Sequence, residues 1–368
     1  MYKNEMKKKI IFFMPSFEGG GVEKNVIMVA NNFALRNIEV SLITASNNIR
    51  NRFDKKIRLI NPKYNFWDNY SRLIKYLLCI WFLFIEAYKN KNFYVFCFQG
   101  NILCTIFCKL FNIKIIIRPN SSPTGWSGNS LKKFLFSKTL KLSNKIIVNS
   151  LEFKKELKTK FNLESQCIYN PLNKKEILKL SKKKIKIKFF NKNSINIISL
   201  GRLVDQKDHM TLLKAINLLK KKINLRLLII GDGDQKKNLI KYIKNNGMTN
   251  IVKIKNRVKN PFPFILKSKI MILSSKFEGF PNVLLEAIAL NKFVISSNCP
   301  TGPREILDNG KGGMLFKVGN HIELSKKILM YKKKIKSSMK MKKYAFQRLS
   351  KFDYKKNLNQ YYNLFNSF

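Results

Sequence analysis

The stretch FEGFPNVLLEA, Phe277 to Ala287, sets two glutamates on either side of a Gly-Phe-Pro turn and an apolar run. Upstream, KIMILSS reads as a β-strand ending near Ser275. NVLLEAIAL reads as a helix that stops near Asn291, and KFVISS as the next strand. Pro281 suits the first turn of that helix, where its missing N–H costs nothing. Strand, turn, helix and strand form a βαβ unit, which implies a parallel sheet. The turn then lies at the carboxyl end of a strand, where α/β sheets bind ligands. The helix start offers unpaired N–H groups and a dipole to an anion. Glu278 falls in the turn and Glu286 on the first turns of the helix. A carboxylate there can accept two hydrogen bonds from a diol such as ribose. Taken alone, the pair is read equally well as surface charge near a helix N-terminus, about 0.5 kcal/mol each.

The same alternation extends outward in both directions. Candidate strands are KIIFFMP, VSLIT, VFCFQ, KIIIRP, KIIVNS and CIYNP, then INIISL, LRLLIIG, IVKIK, KIMILSS, KFVISS and GMLFK. Helical patterns such as VEKNVIMVANNFAL, HMTLLKAINLLKK and DQKKNLIKYIKNN lie between them. The lysine-dense segment Asn173 to Asn193 separates the two series and follows the turn signal Asn170-Pro171. The reading is therefore α/β, with two doubly wound Rossmann-like domains facing across a cleft. The first spans 1–171 and the second 172–350, with a C-terminal helix, 351–368, packing back toward the first.

The chain has 368 residues, enough for two cores, and 45% of them are hydrophobic. With 72 Lys and Arg against 21 Asp and Glu it carries a formal charge of +51, which suggests an anionic partner. The lysines are spread evenly, however, and Asn, Ile and Phe, whose codons are also A/T-rich, are abundant. Local constellations therefore weigh more than net charge. Six cysteines form no CxxC pair, so a zinc site or disulfide framework is not expected and a reducing compartment is. The N-terminal apolar run ends at Pro15 and reads as a strand rather than a signal peptide. Leu73 to Tyr88, interrupted by Lys75 and Glu86, is short for a membrane span. It reads as a buried helix, with a membrane-touching helix as the alternative.

Two further loops follow strands. INIISLGRLVDQKD places Gly201, Arg202 and Lys207 between a strand and a helix. Arg offers a forked donor set to phosphate oxygens and Lys a point charge. PSFEGGGVEKN opens the first helix with three glycines, which is not the dinucleotide GxGxxG pattern. Together the three loops read as a nucleotide-diphosphate site.

At this point the chain resembles the retaining glycosyltransferases of the GT-B fold, in particular glycosyltransferase family 4. EGFPNVLLE matches their E-x7-E motif, and GRLVDQKD, GGGVEKNV and TGPREI (Thr301 to Ile306) are also similar. The resemblance implies that Arg202 and Lys207 hold the donor pyrophosphate and neutralise leaving-group charge. Glu278 would bind the donor sugar and Glu286 the ribose. Gly279, Phe280, Pro281, Asn282 and Val283 would supply backbone contacts near the phosphates. Val258 would meet the nucleobase, and Gly20 and Gly21 would close over the diphosphate. Many relatives carry a first-domain histidine facing the donor sugar; here both histidines, His209 and His321, lie in the second half. Arg118 or Asn120 would take that place, and His209 would simply start a helix.

The implied reaction moves a hexose or N-acetylhexosamine from a nucleotide-sugar donor, a UDP-sugar first, to a cell-envelope or polyprenyl-linked glycan. It implies no metal and no cofactor. The expected location is cytoplasmic or peripheral on the inner face of the plasma membrane. An anionic membrane surface would meet Leu131 to Lys145, through Lys132, Lys133, Lys138 and Lys141 with Phe134, Leu135 and Phe136 beside them. Asp232 and Asp234 in GDGD share the spacing of the Asp-x-Asp found in metal-dependent transferases, but following a strand they are expected to cap a helix. A GT-B-like sugar epimerase would need cleft histidines, and a nucleic-acid-binding protein would need its charge on one face.

Overall fold

In the computed structural model the described residues are 8–120, 130–185 and 187–368. The N-terminal residues before Lys8 and the part of IIIRPNSSPTGW from Ser121 onward lie outside them, as does the side chain of Lys132. The chain divides into two compact units, Met1–Pro171 with Lys355–Phe368, and Leu172–Tyr354.

Unit 1 holds strands β1 (Lys9–Phe13), β2 (Glu39–Ile43), β3 (Arg58–Ile60), β4 (Tyr94–Cys97), β5 (Ile115–Ile117), β6 (Lys145–Val148) and β7 (Gln166–Cys167). They form one seven-stranded sheet in the order β3-β2-β1-β4-β5-β6-β7. Unit 2 holds β8 (Ile195–Leu200), β9 (Leu225–Ile230), β10 (Val252–Lys255), β11 (Ile270–Leu273), β12 (Phe293–Ser297) and β13 (Met314–Phe316). Their order is β10-β9-β8-β11-β12-β13. The paired strands run parallel, Phe12 standing opposite Leu42 on one side and Phe96 on the other. Parallel neighbours need long crossovers, most of them helical; β2 and β3 are joined by residues 44–57, with only a 3-10 turn at Arg50–Arg52. In unit 1 the helical ones are α1 (Gly21–Ala34), α2 (Arg72–Lys89), α3 (Asn101–Leu110), α4 (Ser130–Lys141) and α5 (Leu151–Phe161). In unit 2 they are α7 (His209–Leu219), α8 (Lys236–Asn245), α9 (Phe262–Lys267), α10 (Asn282–Ala289) and α11 (Pro303–Ile306), with α6 (Lys174–Ser181) ahead of the first strand and α12 (His321–Lys333) and α13 (Ile335–Gln347) after the last. The last helix, α14 (Tyr354–Asn366), joins unit 1 from Lys355.

The period-2 alternation of the strands assigns each helix its face. Ile11, Phe13, Val95 and Cys97 pack with Cys79, Leu83 and Ala87 of α2 and with Cys104 and Cys108 of α3. Phe12 and Phe96 point the other way, with ring centroids 5.4 Å apart. There Phe33 of α1 meets Phe12 edge-on at 5.7 Å, and Tyr361 of α14 meets Phe96 at 5.9 Å. Such rings add stabilisation beyond the apolar area they bury. In unit 2 the core gathers Ile197, Leu227, Ile229, Ile270, Ile272, Phe293 and Ile295 under Leu212 and Ile216 of α7 and Leu324 and Ile328 of α12.

Candidate active site

β8 and β11 are neighbours, and the strand order reverses between them. From β8 the chain winds through β9 to the edge strand β10, then returns to β11 and winds through β12 and β13. Loops leaving two such strands part in opposite directions and open a crevice beyond the carboxyl ends. Gly201 to Lys207 follows β8, and Ser274 to Pro281 follows β11.

The two loops are bonded together. Lys207 Nζ donates to Glu278 Oε1 at 2.6 Å, and Ser275 Oγ donates to the same oxygen at 2.6 Å. Glu278 is only 7% exposed, so its charge is held between an ammonium and a hydroxyl. Ser274 Oγ donates to the Lys207 carbonyl at 3.0 Å, and Gln206 Nε2 to the Phe277 carbonyl at 2.9 Å. The Lys276 amide returns a bond to the Gln206 carbonyl at 2.8 Å, and its ammonium pairs with Asp205 at 2.6 Å. Exposed Arg202 sits one turn away, its Nη2 3.4 Å from Gln206 Oε1. A desolvated ion pair is weak evidence of stability, because desolvation offsets much of the attraction. A fixed ammonium, a guanidinium and a carboxylate at a switch point are better suited to polar ligand recognition.

α10 begins at Asn282, with Pro281 as its N-cap residue, one position earlier than the first-turn placement expected from the sequence. Asn291, with φ 58°, ends it in the left-handed conformation. Glu286 is buried on this helix, 4% exposed. Phe280 turns its ring to Phe352 at 5.6 Å, so its side chain serves packing. Val258 is half-buried in the loop after β10, at the far edge of the sheet. Burial, with the Glu278 charge next, pushes the Cys299 thiol up to about 12. It stays protonated at neutral pH and is no nucleophile.

TGPREI supports the Glu278 turn from beneath. Thr301 Oγ1 donates to the Glu278 carbonyl at 2.6 Å. Gly302 has φ +92°, and a Cβ there would lie 2.7 Å from Pro281 Cδ. GDGD is also structural, but not as a cap. Neither aspartate caps α8, whose N-cap residue is Gln235 with no side-chain bond. Asp232 Oδ2 accepts from the Arg257 amide at 3.0 Å instead. The glycines are required because the Gly201–Leu203 backbone passes directly over them; a Cβ on Gly231 would stand 1.8 Å from the Gly201 carbonyl oxygen. Gly231→Ala is therefore expected to destabilise unit 2 by about 3 kcal/mol or more through overpacking. A calorimetric melt within about 2 °C of wild type would contradict this contact.

His209 is the first residue of α7 behind the Asp208 cap, as its place in the sequence suggests. Its Nδ1 stands 3.5 Å from Ser199 Oγ, and among the described residues its Nε2 has no partner. Burial, then the Lys207 charge, lowers its pKa to about 4. Between that value and the unfolded value near 6.5 the unfolded chain binds the extra proton. Stability should thus fall as pH drops from about 6.5 to about 4, by about 3 kcal/mol, and be unaffected above that window. His209→Gln should flatten this slope in urea melts at several pH values; an unchanged slope would assign it to other groups.

In unit 1 the sheet order reverses between β1 and β4. Gly19 to Gly21 follow β1, but the loop is closed by its own helix: Glu23 accepts from the amides of Gly19 and of Gly20, the latter at 3.0 Å. The glutamate three residues after the N-cap supplies one half of a capping box, and Gly20 has no side chain to supply the other. Gly21 is the first residue of α1. Arg118 is 1% exposed; its guanidinium donates to Tyr361 Oη at 3.0 Å, Asn120 Oδ1 at 2.8 Å and Asn170 Oδ1 at 2.5 Å. It ties α14 and the segment before Pro171 to β5, while Asn120 remains half-buried at the strand end.

Residues 181–348 match the family model of the glycosyl transferases group 1. An uncharacterized glycosyltransferase of Methanocaldococcus jannaschii is 33% identical over 210 residues, 53% of this chain and 51% of the relative. The N-acetylgalactosamine-N,N'-diacetylbacillosaminyl-diphospho-undecaprenol 4-alpha-N-acetylgalactosaminyltransferase of Campylobacter jejuni is 30% identical over 196 residues, 52% of each chain. The chain thus spans about half the length of these curated relatives. Among solved structures, Anabaena HepE in complex with UDP and glucose matches with a TM-score of 0.81 at 16% identity, over 98% of this chain and 100% of that one. At that identity the likeness shows the fold, two tandem parallel-sheet domains of the GT-B type. Residues 181–348 are thus similar to the glycosyl transferases group 1, and the fold of the chain is GT-B.

Proposed function

We infer that the protein transfers a hexose or N-acetylhexosamine, with retention of configuration, from a UDP-sugar to a cell-envelope or lipid-linked glycan. The observation that carries this reading is the Lys207–Glu278 pair at the switch point of unit 2, 2.6 Å long and flanked by Arg202. A departing nucleotide diphosphate gains negative charge as the glycosidic bond breaks. Lys207 and Arg202 stand ready as fixed positive charges for it, at no reorganisation cost. Glu278 Oε2, outside the two bonds that hold Oε1, accepts from sugar hydroxyls, and Glu286 accepts from the ribose. The amides of Gly279, Phe280, Asn282 and Val283 at the start of α10 face the phosphates. These basic side chains do the work that a divalent cation does elsewhere, so the proposed reaction needs no metal. The UDP in the Anabaena complex and the diphospho-undecaprenol glycan in the Campylobacter enzyme's name support the donor and acceptor classes.

The test is a UDP-release assay with a polyprenyl-diphosphate glycan acceptor, in EDTA, with the product's anomeric coupling read by NMR. An α-linked donor should give an α-linked product at undiminished rate. A β-linked product would overturn retention, and activity lost in EDTA and restored by manganese would overturn the metal-free mechanism.

A further inference from the structure

The loops after β8 and β11 meet along a seam, and Gln206 holds both sides of it with one side chain. It is the middle residue of the 3-10 turn Asp205–Lys207, just ahead of α7. Its Nε2 donates to the Phe277 carbonyl at 2.9 Å, and its Oε1 accepts from Arg202 Nη2 at 3.4 Å. Its backbone carbonyl accepts from the Lys276 amide at 2.8 Å. These partners fix which way the side-chain amide faces. A guanidinium can only donate and a carbonyl can only accept, so the reversed amide would set donor against donor and acceptor against acceptor.

The one turn thus anchors both cations of the site, by different means. Lys207 is held by a carboxylate, Glu278, which offsets its charge. Arg202 is exposed, and the partner its guanidinium has here is the neutral amide of Gln206. A neutral acceptor leaves the whole positive charge for a ligand and occupies only one of the guanidinium's N–H groups. The backbone beneath Arg202 is already fixed, because the amides of Gly201 and Leu203 donate to the carbonyls of Ile230 and Asp232 at 3.2 and 2.8 Å. What the backbone leaves open is the direction of a long side chain, and Gln206 supplies that direction. A charge held in place before the reaction stabilises developing charge more than one that must be ordered during it. Glutamate at this position would reach as far, but it would neutralise Arg202 and set an oxygen against the Phe277 carbonyl.

We propose that Gln206 is a positioning residue: it aims the Arg202 guanidinium at the departing diphosphate and ties that aim to the turn carrying Glu278. Phe277 directly precedes Glu278, so a shift of the sugar-binding turn is passed on to the arginine. The effect on rate rests on the transfer reaction proposed above; the restraint on Arg202 does not.

Two measurements on the full chain test this. The first reads the restraint with no substrate present. In protein carrying isotope-labelled arginine, the Nε–H resonance that Arg202→Ala removes belongs to Arg202. It should report restricted motion in the wild type and free motion in Gln206→Ala, with the other arginines unchanged. Equal mobility of Arg202 in the two proteins would overturn the proposal. The second reads UDP release during transfer. Gln206→Ala should lower kcat about tenfold, and the Arg202→Ala, Gln206→Ala protein should turn over no more slowly than Arg202→Ala alone, since Gln206 acts through Arg202. Gln206→Glu, which keeps the side chain's size but neutralises the guanidinium, should be no faster than Gln206→Ala. Single effects that multiply in the double variant, or wild-type turnover in either Gln206 variant, would overturn the proposal. A wild-type protein that transfers no sugar would instead refute the transfer reading, with the restraint on Arg202 still decided by its resonance.

Discussion

Lys207→Ala is expected to cut transfer turnover by about 10²–10³-fold while weakening donor binding far less. The reason is that charge on the diphosphate grows on the way to the transition state, so the ammonium contributes more there than in the bound ground state. Arg202→Ala should follow the same pattern. Lys207 has a second role, because its ammonium is the 2.6 Å partner of a nearly buried carboxylate. Its removal leaves Glu278 with Ser275 alone on that oxygen, which costs stability as well. The two effects separate in the Lys207→Ala, Glu278→Gln protein, where no buried charge is left unpaired. Its melting temperature should recover; its turnover should not. Turnover in that double variant equal to that of Glu278→Gln alone would reduce Lys207 to a structural counter-ion.

Glu286→Ala should weaken UDP-sugar binding by about 1.5–3 kcal/mol, the usual loss for a hydrogen bond to a charged group. That corresponds to a rise in Kd of about 10- to 150-fold. Since Glu286 is buried on α10, Glu286→Gln serves as the control that keeps its volume. The amide retains one acceptor oxygen and should fall between wild type and alanine. Calorimetric titration with UDP checks the ribose assignment directly, since UDP carries the ribose without the sugar. Equal UDP affinity in wild type and Glu286→Ala would remove Glu286 from the ribose site.

Much of this architecture is legible in the chain because parallel strands buried on both faces read as short, unbroken apolar runs. INIISL, LRLLII and KIMIL are visible for that reason and appear as β8, β9 and β11. β3, only Arg58–Ile60 at a sheet edge, is too short and too polar to stand out. The strand–turn–helix pattern around FEGFP identifies both glutamates without a partner in view. The Lys207–Glu278 bond is another matter. Its residues are 71 positions apart, and only the pairing of β8 with β11 across the reversal of strand order brings them together. The supporting role of Thr301 and Gly302 likewise depends on backbone passing against backbone, which leaves no periodic trace. The aspartates of GDGD suggest a cap because capping is the commonest use of Asp after a strand, whereas the constraint falls on the glycines. The orientation of α2 is also hidden in the sequence. Lys75 and Glu86 interrupt the apolar run in the same way whether they face water or the sheet.

The central claim is that the carboxyl ends of β8 and β11 hold a nucleotide sugar. Isothermal titration of the purified protein with a panel of UDP- and GDP-sugars tests it most directly. One UDP-sugar should bind saturably at a single site, be displaced by UDP, and bind more weakly to both Lys207→Ala and Glu286→Ala. Binding of none of the UDP-sugars, or binding that neither substitution alters, would contradict it.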